Sequence, residues 1–184
     1  MDLRMVKTRA QIKQAFLTLR EKLTPEKIKV KDICEMAQIN KTTFYHHYTD
    51  SMELSNEIDD HAIDQVISGF EARDRLFDDP KAYFTGLLQA LERESANIKL
   101  VFRGKQEILC TKLEDRLQRL CSPKETDLES RIRLSFAIGG FVRIVKDYLF
   151  GDKKYDSIEQ LAEYATRMVE ALLQRSPAAA GANG

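Results

Sequence analysis

The sequence predicts an all-α protein: an N-terminal three-helix helix-turn-helix domain followed by a larger helical domain. Three observations lead there. Apolar residues recur at three- and four-residue steps along most of the chain. No segment alternates with period 2 for long enough to make a strand. The 184 residues include only 8 Gly and 4 Pro, few for a sandwich or barrel with its many turns.

Thr8 and Gln11 form a T-x-x-Q capping box at the expected start of the first helix. Ile12, Phe16, Leu19 and Leu23 then line one face, and Thr24-Pro25 ends it, because the residue before proline avoids the α region. Arg4, Lys7 and Arg9 surround the helix start, either as phosphate or minor-groove contacts or as a solvated basic end. Val30, Ile33, Cys34 and Ala37 fall at i, i+3, i+4 and i+7 on a second helix, which stops at Gln38. Ile39 offers an apolar plug inside a tight turn. Asn40 is suited to cap the next helix by accepting the Thr43 N–H. Over Lys41–Tyr48, Phe44 and Tyr48 share the inner face, leaving Lys41, Thr42, Tyr45 and His46 outward. A helix that hides Phe and Tyr and shows Lys, Thr, Tyr and His suits phosphates and base edges, as a recognition helix does.

Asp50 and Glu53 cap a fourth helix, expected from Ser51 to Ala72, with Leu54, Ile58, Ile63, Val66 and Phe70 as its stripe. A helix of that length spans about 30 Å, long enough to serve both domains and to transmit between them. Asp79-Pro80 starts the next, with Tyr83, Phe84, Leu87, Leu88 and Leu91 inward. An apolar patch from Ile98 to Phe102 precedes Gly104, and Ile108, Leu109, Leu113, Leu117 and Leu120 mark a further helix closed by Ser122-Pro123. Leu128–Phe150 is apolar on more than one face, and its Gly139-Gly140 pair predicts either a bend or close approach of a neighbouring backbone. Ser157 and Gln160 cap a last helix carrying Ile158, Leu161, Ala165, Met168 and Leu172. Two adjacent helices with more apolar surface than one small core consumes predict a subunit interface; filling the domain core is the alternative. The expected domains are 1–50, which binds DNA, and 51–175, with a disordered small-residue tail at 176–184.

Composition bounds the function. Apolar residues make up 43% and charged residues 32%, and no run approaches 18 apolar residues, so no membrane span is expected. The N-terminus lacks the apolar core of a signal peptide. Three widely spaced cysteines, Cys34, Cys110 and Cys121, read as reduced thiols of a cytoplasmic protein. The net charge of zero divides unevenly: residues 1–49 hold 10 Lys+Arg against 5 Asp+Glu, and the rest 19 against 24. A basic head on an acidic body fits a DNA-binding domain joined to a domain with another task.

Several spacings agree at once with one family. Thr8-Arg9-x-x-Ile12-x-x-Ala15-Phe16-x-x-Leu19, Val30-x-Asp32-Ile33 and Asn40-Lys41-x-Thr43-Phe44-Tyr45-x-His47-Tyr48 resemble the N-terminal domain of TetR/AcrR-type transcriptional regulators. The match covers roughly the first 55 residues. Two positions depart from the usual pattern: Gln38 stands where Gly takes a positive-φ turn cheaply, and Ser51 where a Lys often contacts phosphate. The resemblance implies a homodimer formed by the last two long helices as a four-helix bundle, and double-stranded DNA with a pseudo-palindromic operator as partner. It also implies a repressor released by a small-molecule effector bound in the C-terminal helices. Candidate pocket residues are Phe84, Leu88, Phe102, Cys110, Phe136 and Arg143, each otherwise a packing residue or, for Arg143, a salt-bridge partner.

On the DNA side, Lys41 and Thr42 are placed to enter the major groove: Lys can donate to guanine and Thr can offer a hydroxyl or a methyl. Thr43 either joins them or is spent on the helix start. Tyr45 and His47 are expected on phosphates, His46 on either, and Lys31 on phosphate or a base edge. An enzyme is not expected. GxSxG, P-loop and HExxH patterns are absent, and the adjacent His46-His47 pair suits one metal poorly, so neither metal nor cofactor is assigned. The alternative reading is a helical interaction protein of the same fold with weak or no operator binding, favoured by Gln38 and Ser51.

Overall fold

A computed structural model describes residues 3–121, 127–151 and 157–173. The positions 176–184 and Ser122-Pro123 lie outside the described residues. Among those described there are nine α-helices, a short 3-10 turn at Pro25–Lys27, and no strand. The helices are α1 (Leu3–Arg20), α2 (Val30–Ala37), α3 (Lys41–Tyr45), α4 (Ser51–Ser68), α5 (Pro80–Arg93), α6 (Ser95–Val101), α7 (Gln106–Cys121), α8 (Leu128–Phe150) and α9 (Ile158–Leu173). They form two compact units: Met1–Gln65 with Ala96–Gln106, and Val66–Ser95 with Glu107–Gly184.

In the first unit α1 packs on α2 and α2 on α3. Ile12, Ala15, Phe16, Ile33, Cys34, Phe44 and Tyr48 are buried at the register the periodicity predicts. The start of α1 differs from expectation. The helix begins at Leu3, and Thr8 lies inside it with its hydroxyl donating back to the Arg4 carbonyl at 2.9 Å, so Thr8 is no cap. It also ends at Arg20, before Thr24-Pro25.

Arg20 is the largest wholly buried side chain of the unit, and its guanidinium organises the far end of α1. Nη1 donates to the Leu23 carbonyl at 2.6 Å. Nη2 lies 2.7–3.2 Å from the carbonyls of Leu100, Val101 and Arg103, at the C-terminal end of α6. Those carbonyls have no partner further along α6, and a buried cation suits the negative end of the helix. Burial lowers the Arg20 pKa, against which the Asp59 carboxylate acts to raise it. Next along the chain, Gly104 turns at φ 76°, a left-handed conformation that glycine takes without strain. Lys105 follows, buried, and its ammonium reaches Ser55 Oγ at 2.9 Å and the buried Asp59 carboxylate at 2.5 Å on α4.

The fourth helix stops at Ser68 rather than Ala72, and the Gly69 carbonyl beyond it accepts from Arg93. Asp50 Oδ1 accepts the Met52 and Glu53 N–H groups at 2.8 Å, as a cap should. Glu53 reaches one residue further back than a capping box predicts, to the backbone and hydroxyl of Thr49.

The second unit packs α9 against α5 and α8. Asp79 caps α5 through the Ala82 N–H, and Asp127 caps α8 through the Ser130 N–H. Tyr83, Phe84, Leu87, Leu88 and Leu91 are all buried. Phe70, Tyr83, Phe84 and Phe141 form a run of ring contacts with centroids 4.8–5.3 Å apart. Around Gly139-Gly140 no described backbone closes in. A Cβ added at Gly139 would meet only the Glu114 carboxylate, at 3.9 Å, and one added at Gly140 would meet no other element within 4 Å. The pair instead floors an open concavity of about 400 Å³ with Ile132, Ser135 and Phe136.

Replacing Arg20 by Met should cost about 3–5 kcal/mol, because it leaves one buried and three partly buried carbonyls without this donor. Arg20→Lys should recover less than half, since one ammonium cannot reproduce a planar fork that serves four acceptors. Urea unfolding of the three proteins measures both.

Candidate nucleic-acid interface

The recognition segment is built on α2. Lys29 precedes that helix, and its N–H donates to Asp32 Oδ2 at 3.3 Å. At the other end Gln38 takes φ 55°, ψ 43°, and the Ile39 N–H returns to the Cys34 carbonyl at 3.0 Å. This left-handed C-terminal closure is the turn for which glycine is the usual residue. Gln38 adopts it at a cost of about 1 kcal/mol, so the departure leaves the motif's geometry intact.

Asn40 caps α3 as expected, its Oδ1 accepting the Thr43 N–H at 2.7 Å. The Thr43 hydroxyl donates to the same oxygen at 2.9 Å, so Thr43 is engaged in the helix start. Regular helix covers Lys41–Tyr45 rather than Lys41–Tyr48. Beyond it the His47 and Tyr48 N–H groups both turn onto the Phe44 carbonyl. Phe44 and Tyr48 are buried, while Lys41, Thr42, Tyr45 and His46 are exposed. Lys31 is exposed on the first turn of α2, and His47 is half-buried with its ring 6.5 Å from Tyr48. The Tyr45 ring meets Phe44 edge-on at 5.6 Å, which holds its exposed phenol at a set angle. All seven DNA-contact candidates therefore lie within α2, α3 and the turn that follows, four of them together on the outward side of α3. Ser51, at the start of α4, is half-buried.

Sequence reasoning missed a polar cluster beside this segment. Arg9 Nε donates to the Tyr48 hydroxyl at 3.1 Å, and Arg9 Nη2 donates to Glu57 Oε2 at 2.7 Å. Lys13 Nζ sits 2.7 Å from the other Glu57 oxygen. Burial would push the Glu57 carboxyl up, but the hydrogen bonds from Arg9 and Lys13 outweigh it and hold the group at about 2. Burial pushes the Tyr48 phenol up to about 12. A signal was available for part of this: Arg9 and Lys13 stand four apart on one helix, where a single carboxylate can bridge them.

The pocket candidates scatter. Phe84 lines an apolar cavity of about 10 Å³ with Leu76, Leu117, Phe141 and Val169, room for little more than one water molecule. Leu88 is buried in the second unit, and Cys110 is half-buried there. Phe102 belongs to the first unit, buried beside Lys105, whose ammonium is 5.6 Å from its ring centroid. Phe136 is 76% exposed on the open concavity. Arg143 is exposed and pairs with Asp147 one turn along α8.

No protein-family model matches this chain, and no curated protein does. Among solved structures it is similar to the dihydroxyacetone kinase operon activator DhaS, with 18% identity over 91% of this chain and 97% of that one, at a TM-score of 0.56. It also aligns with AlkX from Dietzia sp. strain DQ12-45-1b, described as a TetR family repressor implicated in biodegradation of n-alkanes, with 13% identity over 90% and 97% of the chains and a TM-score of 0.46. At 18% identity the likeness to DhaS is one of fold alone.

Gln38→Gly should stabilise the chain by about 1 kcal/mol by relieving the left-handed strain, read as a raised midpoint in thermal unfolding. On DNA, Lys41→Ala should weaken binding to a preferred sequence by about 1–3 kcal/mol more than to random sequence, as loss of a base contact does. Tyr45→Phe should weaken both by a similar factor, as loss of a phosphate contact does. Fluorescence anisotropy on the two duplexes separates these outcomes.

Proposed function

We propose that this chain is a dimeric, sequence-specific, DNA-binding transcriptional regulator of the cytoplasm and not an enzyme. The observation that carries the reading is the outward side of α3. Lys41, Thr42 and Tyr45 on a five-residue helix, and His46 at its C-terminal cap, are all exposed, with Phe44 and Tyr48 buried beneath. The basic balance of the first 49 residues supplies the attraction to phosphate that positions such a helix. Among the described residues no helix is long and apolar enough to cross a membrane.

A single head has few base-reading side chains, so useful specificity needs two heads on a pseudo-palindromic site, about one helical turn or somewhat more apart. An exposed apolar line on α8 supports pairing: Leu128 is 70% exposed, Ile132 55% and Phe136 76%, at four-residue spacing. On α9, Met168 is 60% exposed, and Tyr164 is also exposed. Apolar surface of this extent along two helices favours a second copy as its cover. Repression relieved by a small-molecule effector is the proposed mode, and it rests on the resemblance of the N-terminal motifs. DhaS is named an activator, and the same head geometry serves either sign.

Ser51 favours a second reading, an interaction protein of this fold without operator binding, because it replaces a lysine anchor at the start of α4. A gel shift of the purified chain against its own upstream region and against random duplexes decides between them. Retention of both at the same salt-sensitive, weak affinity favours the second reading.

Phe136→Glu and Met168→Glu place charges on exposed positions, so each protomer should fold normally. If the α8–α9 face pairs two copies, the double variant should sediment as a monomer, with operator affinity reduced toward its non-specific level. A double variant that remains a dimer on analytical ultracentrifugation and binds its operator normally rules this face out.

A further inference from the structure

The polar cluster beside the recognition helix has an arrangement that charge alone does not explain. Tyr48 is the last residue of the segment that leaves α3, and it is buried. Its hydroxyl accepts from Arg9 Nε at 3.1 Å. Arg9 Nη2 donates to Glu57 Oε2 at 2.7 Å, and the Arg9 guanidinium carbon lies 5.4 Å from the Tyr48 ring centroid. Lys13 holds the second Glu57 oxygen. Three elements, α1, the exit of α3 and α4, thus meet at one guanidinium.

From this geometry we infer that Arg9 and Glu57 are positioning residues for the recognition helix: through the Tyr48 hydroxyl they fix the orientation in which α3 presents Lys41 and Thr42. The inference rests on the DNA-binding reading given above. A five-residue helix has almost no stability of its own, so its orientation is set by its two ends. Asn40 and the turn after α2 hold the first end, and the Arg9–Tyr48 hydrogen bond, with Arg9 held in turn by Glu57, holds the second. Base contacts need donors placed within a few tenths of an ångström, whereas phosphate contacts through long basic arms tolerate small rotations. Loosening Tyr48 therefore costs sequence discrimination before it costs general affinity.

Glu57 makes the inference testable by sign. A carboxylate within a basic DNA-binding unit repels DNA, so a Glu57 that contributed charge alone would, on removal, tighten binding to every duplex. A positioning Glu57 would, on removal, weaken binding to the preferred duplex.

The experiment uses the full chain, the tightest duplex selected from a random-sequence pool by the wild type, and a scrambled duplex, across a series of KCl concentrations. Glu57→Ala, Arg9→Ala and Tyr48→Phe should each lower the ratio of selected to scrambled affinity by about tenfold, the worth of one misplaced base contact. Scrambled-duplex affinity should be unchanged or higher for Glu57→Ala. Glu57→Gln keeps an acceptor for Arg9 and should recover most of the ratio, which a mere loss of folded protein would not do. Circular dichroism identifies any variant that fails to fold, and Tyr48→Phe, which removes one oxygen, remains informative if Glu57→Ala is among them. The inference is overturned if Glu57→Ala tightens both duplexes equally. It is overturned as well if Arg9→Ala lowers the salt slope by about one unit per head with the ratio intact, since Arg9 is then a phosphate contact. A wild type that selects no duplex sinks the DNA-binding reading and this inference together. Wild-type selection with an unaltered ratio in all the variants sinks this inference alone.

Discussion

The first unit depends on a buried guanidinium. Arg20 ends α1, yet three of its four carbonyl acceptors lie some 80 residues further on, at the end of α6. Without that cation the Val101 carbonyl would be buried without this donor, at a cost of about 1–3 kcal/mol, and the partly buried carbonyls of Leu100 and Arg103 would lose theirs. Lys105 acts in the same direction from the other side, tying the turn after α6 to Ser55 and Asp59 on α4. A buried ion pair adds little net stability over a well-packed apolar substitute, but breaking one half of it is expensive. Such groups specify an arrangement more than they strengthen it. Here they specify that 96–106 is built into the same unit as α1 to α3.

That unit in turn gives α3 its form. A five-residue helix would not persist in water, because the nucleation cost exceeds what so few hydrogen bonds return. Phe44 and Tyr48 fasten it to α1 and α2 from below, Asn40 closes its start, and the strained Gln38 sets the turn by which it leaves α2. The exposed side chains owe their placement to groups that never face the solvent. Lys41 and Thr42 are exposed, while the neighbouring Thr43 and Phe44 carry structural work.

The second unit shows the opposite economy. Its aromatic run from Phe70 to Phe141 is well packed and encloses only about 10 Å³. Its outer surface, by contrast, leaves Leu128, Ile132 and Phe136 in solvent beside two adjacent glycines. A helix that buries Leu134, Ala137, Ile138, Phe141 and Val145 on one side and exposes three large apolar residues on another is apolar beyond the needs of its own core. The six candidates for an effector pocket were chosen as apolar or polarisable residues on C-terminal helices. Helical register separated them, sending Phe84 and Leu88 inward and Phe136 and Arg143 outward.

By itself the sequence determined what depends on local spacing. Helical periodicity identified the helices and most buried faces, because a residue's direction on a helix follows from its position alone. The cap at Asn40, the exposed quartet on α3 and the proline start of α5 were legible for the same reason, whereas the left-handed turn at Gln38 was implied by the family resemblance. Helix ends were less so. Thr8 has the chemistry of a cap, but the helix could extend upstream to Leu3, so it became an interior residue. What only the tertiary structure decided is which distant groups satisfy the buried charges. Arg20 stands in the register of Ile12 and Phe16, and Asp59 in that of Ile63. Their partners at Leu100–Arg103 and Lys105 could not be read, because nothing in local spacing encodes a hydrogen bond between residues 46 to 83 positions apart. The same holds for Glu57 and Arg9. The packing of α1, α3 and α4 brings them together beside the Tyr48 phenol.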